Sequence, residues 1–181
     1  MKMKPKTKNE TVLTVLKIFA LLALLYYGIL SVLYLVLYVS SLFSAQLFSN
    51  IYNGLGLPEL KEQNFLKYTL TVLLLVALSV LKANVWYRAV LIIQNIKIEN
   101  PFSIKITRRL EKMSYNLLYI WILGFVASTF SYWLTTQSEM AGSLKEQLSS
   151  KEFLFMAGLL FIVSQIFRHG VEIQSENDLT V

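Results

Sequence analysis

Residues 18–39, "IFALLALLYYGILSVLYLVLYV", decide how this chain is read. The run carries no charge, and the next charged residue after Lys17 is Glu59. About 20 consecutive apolar residues are needed to cross roughly 30 Å of hydrocarbon, so this stretch is long enough to span a bilayer. A secretory signal has a shorter apolar region and a small-residue cleavage site. This run is longer and studded with Tyr, which predicts an uncleaved helix over about 17–40.

The rest of the composition agrees. Of 181 residues, 55% are hydrophobic and only 15% charged, whereas about a quarter of a soluble domain is charged. Cysteine is absent, which excludes disulfides, thiolate catalysis and Cys-based metal sites. A single His, His169, excludes His-rich metal sites and most His-based acid–base schemes. The net charge of +6 would suggest nucleic acid in a soluble protein; in a membrane protein it speaks of orientation and anionic lipid.

Three further spans follow. Lys67 and Lys82 bracket "YTLTVLLLVALSVL", which is short unless the lysines snorkel to the interface. With Trp86 and Tyr87 as an interfacial aromatic belt, the second span is about 64–87, and its helix has room to continue through "AVLIIQNI". The third, 113–134, is uncharged throughout and closes on Tyr132 and Trp133. The fourth, about 152–168, lies between Glu152 and Arg168. The expected fold is all-α: one four-helix transmembrane domain over 1–181, with a solvated basic segment 1–16 and a tail 169–181.

The connections differ in character. Residues 44–64 hold Asn-Gly, Gly-Leu-Gly and Pro, which predicts a loop with room for a short interfacial helix near its start. In "NPFSIKITRRLEKM", Asn100-Pro101 ends what precedes it. A new amphipathic helix then opens, with Phe102, Ile106, Leu110 and Met113 on one side and Lys105, Arg108, Arg109 and Lys112 on the other. That pattern suits anionic headgroups, and because the stretch abuts a span, headgroups are a better partner for it than nucleic acid. Lys82, Arg88, Lys105, Arg108, Arg109 and Lys112 are the candidate headgroup contacts. Thirteen Lys and Arg fall in the N-terminal segment, the middle loop and the tail, against four in the other two loops. Both termini and the middle loop are therefore expected in the cytoplasm.

Chemistry is sparse. No carboxylate stands inside the four apolar blocks, which argues against a proton-coupled transporter. Lys82 is the one charge able to face inward, either snorkelling or meeting an anionic headgroup or substrate between helices. His169 with Gly170 reads as the polar end of the fourth helix. Gly124 and Ser128 have the spacing of small residues at helix contacts. With no nucleophile–base pair, metal cluster or phosphate loop, neither catalysis nor a cofactor is expected.

The chain ends "IFRHGVEIQSENDLTV". With four spans, Pro101-Phe102 before a basic helix, and Phe167, Gly170, Ile173, Gln174, Glu176, Asn177, Asp178, Leu179, Thr180 and Val181 at the end, the chain resembles a family of small bacterial membrane proteins catalogued as a domain of unknown function. That resemblance implies a membrane partner of a Cro-type helix-turn-helix regulator encoded nearby, and it implies no reaction. The candidate partner contacts are Glu172, Ile173, Gln174, Glu176, Asn177, Asp178, Leu179, Thr180 and Val181. Read as extended, the tail alternates Val171, Ile173, Leu179 and Val181 on one side, as strand addition to a partner would use. Two alternatives stand beside this reading. The tail's acids can fold back on Lys105, Arg108 and Arg109, or the protein can act in the envelope, against membrane-active peptides or on a small apolar solute or lipid.

Overall fold

The structure, a computed structural model, describes residues 8–43, 57–96, 102–134 and 150–178. Nearly all of them are helical. Helix α1 is Lys8–Phe43, α2 Leu57–Gln63, α3 Phe65–Asn95, α4 Ile104–Leu134 and α5 Lys151–Asp178. Four of the five, all but α2, are long and apolar enough to cross a membrane.

Local chemistry sets the boundaries. Pro58 sits in the first turn of α2, where its missing N–H costs nothing; it opens a helix rather than a loop. Asn64 caps α3, its side chain accepting from the backbone N–H of Leu66 at 3.0 Å and Lys67 at 3.1 Å. Ser103 caps α4: its Oγ accepts from Ile106 N–H at 3.3 Å, and its carbonyl from Thr107 N–H at 3.0 Å.

All four long helices outrun the predicted spans. Helix α1 begins at Lys8, so part of the basic segment 1–16 is helical rather than solvated coil. Helix α3 runs past Tyr87 to Asn95. The basic stretch 104–112 is not a separate interfacial helix: it forms the first turns of α4, continuous with the third span. The short helix predicted near the start of 44–64 falls outside the described residues, and α2 stands at that segment's end. At about 1.5 Å per residue, α3 is roughly 46 Å long, well beyond the hydrocarbon thickness.

The helices pack in the order in which they occur: α1 on α3, α3 on α4, α4 on α5, with α2 against α3. Among the described residues α1 and α5 share no extended interface, so each outer helix rests mainly on one neighbour. Three contacts set the register of the last three helices. Asn116 donates to Asn84 across α4 and α3 at 3.0 Å, Arg109 Nη1 donates to the Leu91 carbonyl at 2.6 Å, and Arg168 pairs with Glu111 across α5 and α4 at 2.9 Å. Arg88, Arg109, Lys112 and Arg168 thus share one end of the molecule, called here the basic end.

The buried seam is small and polar as much as apolar. Tyr34, Leu37, Tyr68, Val72, Leu75, Leu78, Leu117, Ile120, Ala127 and Ala157 form one cluster, and Ser31, Thr71, Ser79, Ser114 and Ser164 are buried with them. Their hydroxyls donate back to carbonyls three or four residues earlier, as Ser79 does to Leu75 and Ser164 to Phe161. Lipid supplies no hydrophobic drive between helices, so close approach through small residues and polar contacts does that work. Gly124 and Ala127 are both buried in α4, while Ser128 is half-buried. Large apolar side chains such as Phe19, Leu22, Phe125, Phe155 and Ile162 face outward, as lipid contact requires.

Opposite the basic end, α2 is tied to α1 and α3. Tyr68 is fully buried and donates to Ser41 Oγ at 3.0 Å, while its ring stacks on Tyr38 with centroids 6.0 Å apart. The Lys61 ammonium donates to the Ser41 carbonyl.

Candidate functional site

At the basic end, five of the six predicted headgroup contacts converge. Arg88 comes from the last turns of α3, and Lys105, Arg108, Arg109 and Lys112 from the first turns of α4. With Leu91 and Ile104 they line a groove of about 300 Å³. The helical period places Ile106 and Leu110 on the buried side, 1% and 8% exposed, so Lys105, Arg108 and Lys112 are turned outward. Arg109 spends one N–H on the Leu91 carbonyl, near the negative end of the α3 dipole. The Arg88 Nε is buried without a hydrogen-bond partner among the described residues. The local carboxylate, Glu111, turns away to Arg168. The groove therefore concentrates positive charge beside the apolar surface of two spans, which is chemistry for a phosphate-bearing headgroup.

Lys82 stands apart from this group. It lies near the middle of α3, six residues short of Arg88. Its ammonium points between α1 and α5, 5.8 Å from the centre of the Tyr27 ring and 5.7 Å from that of Phe153. A cavity of about 210 Å³ opens there, lined by Tyr26, Tyr27, Leu30, Tyr34, Leu75, Leu78, Ser79 and Lys82. The sixth predicted headgroup contact thus belongs to a different site, between α1, α3 and α5.

The tail departs from its predicted form. Helix α5 does not stop at Gly170; it continues to Asp178. Gly170 serves packing instead. A Cβ there would lie 2.6 Å from Phe102 Cδ1, and the Phe102 ring also meets Phe167 edge-on with centroids 5.3 Å apart. Phe102, Phe167 and Gly170, three residues on which the family resemblance rests, thus form one contact between the start of α4 and the end of α5. His169 is not at a helix end; its Nδ1 lies 3.4 Å from Glu172 Oε2 along the same exposed face. The helix also removes the alternating strand register proposed for Val171 and Ile173.

Of the candidate partner contacts, Glu172, Ile173, Glu176 and Asn177 are exposed on α5, and Gln174 is half-buried. Asp178 is the last helical residue, and Leu179, Thr180 and Val181 lie outside the described residues. Among the contacts that sequence reading missed are the Asn84–Asn116 bond and the Glu111–Arg168 pair. The first had a signal, since each Asn sits one or two turns inside an expected interface. The second had none, because its partners are 57 residues apart.

The sequence profile of the family described as "Protein of unknown function (DUF2975)" matches residues 52–181. The chain belongs to this family. The matched DUF2975 region contains α2 to α5, the basic groove, Lys82 and the Phe102–Phe167–Gly170 contact, while α1 lies before it. No curated protein and no solved structure matches the chain.

Proposed function

We propose that this DUF2975 protein is a non-enzymatic, multi-pass protein of the bacterial cytoplasmic membrane that holds a helix-turn-helix regulator at the membrane surface. In this reading both termini are cytoplasmic, as the distribution of Lys and Arg favours. One observation carries the proposal: α5 is a single helix that begins at Lys151, passes through Arg168 and runs ten residues farther, to Asp178. That extension, about 15 Å long, presents Glu172, Ile173 and Glu176 on exposed positions. An acidic, amphipathic helix end complements the cationic surface with which such a regulator meets phosphate. The basic groove supports the reading by seating the base of that helix on anionic headgroups.

The test compares co-purification of the regulator with the full chain and with a chain ending at Gly170, which keeps the Phe102 contact. At least a tenfold loss of recovery on truncation is expected, since roughly 1.4 kcal/mol of contact suffices for that factor. Equal recovery from both ends the tail's role.

A second reading, an envelope protein that gives immunity to membrane-active peptides or carries a small apolar solute or lipid, is favoured by the cavity beside Lys82. It expects cells lacking the gene to lose resistance to membrane-active peptides. Unchanged survival with altered transcription of neighbouring genes returns the case to the regulator.

A further inference from the structure

We propose that the cavity beside Lys82 binds the carboxylate head of a single-chain amphiphile, a free fatty acid, which enters from the bilayer. The site is independent of the tail and of any regulator.

Placement is the first argument. Lys82 lies in the helix of the second span, about 9 Å along α3 from Arg88, yet its ammonium points between α1 and α5 and not toward the basic end. A charge between spans is costly unless it is paired or faces a wet cavity, and it marks a functional site by default. The two rings near 6 Å offer cation–π attraction, but rings carry no counter-charge. Among the described residues Lys82 makes no hydrogen bond or salt bridge. Glu152 acts on it only through space, from an exposed position at the start of α5.

The cavity supplies the second argument. Its polar rim comes from Tyr26, Tyr27 and Ser79 and its apolar wall from Leu30, Leu75 and Leu78. A single ammonium in a low-dielectric setting balances one negative charge, and phenol hydroxyls donate to the second oxygen of a carboxylate. A volume of about 210 Å³ takes a carboxyl group and the first methylenes of a chain, but not the glycerol and two chains of a phospholipid.

Access is the third. Tyr26 is 60% exposed on the lipid-facing side of α1. The head can therefore reach Lys82 laterally while the rest of the chain stays among lipid tails.

The test uses the purified full-length protein in neutral detergent and equilibrium binding of labelled palmitate. Saturable binding is expected, with methyl palmitate weaker by roughly tenfold or more because the ester has no charge for the ammonium. Lys82→Met is expected to weaken palmitate binding by a similar factor and Lys82→Arg to retain most of it. Glu152→Gln is expected to tighten it, since that carboxylate competes for the same ammonium. Equal binding of acid and ester by the wild-type protein overturns the proposal, whatever the variants do. So does displacement of palmitate by an equal amount of phosphatidylglycerol, which would make the site a general anionic-lipid contact.

Discussion

Gly170 shows how one residue can be recognised in the sequence and still be given the wrong task. A glycine after Arg and His at the end of an apolar run reads as a helix stop, yet α5 passes through it. The reason is steric: the Phe102 ring occupies the space that a Cβ would need. Ala is favoured over Gly inside a helix by about 1 kcal/mol, so two effects oppose each other here. Gly170→Ala is therefore expected to raise the melting temperature in a Phe102→Ala background and to leave it unchanged or lower it in the wild-type background. A rise of equal size in both would show that the ring does not press on Gly170. Asn116 gives a simpler case. Its buried side chain donates to Asn84 across two helices, and such bonds in membrane proteins are worth about 0.6 kcal/mol on average, up to nearly 2. Asn116→Leu is expected to cost about 1 kcal/mol in a detergent unfolding titration, with the same loss from Asn84→Leu and little more from both together. The basic side chains were legible individually, from their spacing on one helix. That Arg88 joins them and Lys82 does not was beyond reach, because both sit on the same helix and only packing separates them.

At the scale of elements, charge marked the spans well and the helices poorly. Lys17, Arg88, Lys112 and Arg168 mark where apolar runs end, but backbone hydrogen bonds do not stop at the edge of the lipid, and α3, α4 and α5 continue into polar sequence. The boundary between a basic amphipathic helix and the third span vanished for the same reason: nothing between Met113 and its predecessors breaks a helix, and Glu111 and Ser114 are tolerated within it. Breakers also depend on position, since Pro58 opens α2 rather than ending order. Which face of each helix is buried was equally hard to read. In lipid both faces are apolar, so the inward side of α1 is marked by Ala20, Ser31 and Tyr34 rather than by hydrophobicity. The fused α4 carries its own prediction. Lys105, Arg108 and Lys112 are exposed on its first turns, and each cation near an anionic surface contributes about 1 kcal/mol. Replacing all three with Gln is expected to lower the ratio of anionic to zwitterionic phospholipid that co-purifies with the protein, measured by mass spectrometry. An unchanged ratio would remove the groove from lipid recognition.

The whole molecule is a series of helices, each packed on its neighbours in the chain. Its four long helices were legible from their apolar runs, the second only once its flanking lysines and aromatic belt are counted, because few soluble folds can hide so much apolar surface. Their order of packing was not, since lipid-facing and helix-facing residues look alike. The absence of cysteine makes the orientation simple to measure. Single cysteines at Gln63, beside the Asn64 cap of α3, and at Glu176, on the α5 extension, are both at exposed positions. A membrane-impermeant maleimide added to intact cells is expected to label Gln63→Cys and not Glu176→Cys; the reverse pattern would invert the topology. The serial packing has a further consequence, for synthesis. Each span, as it leaves the ribosome, meets a partner that is already in the membrane: α3 finds α1, α4 finds α3, and α5 finds α4. No early helix has to wait, unpaired, for a distant one to be translated, so assembly of this protein can keep pace with its own elongation.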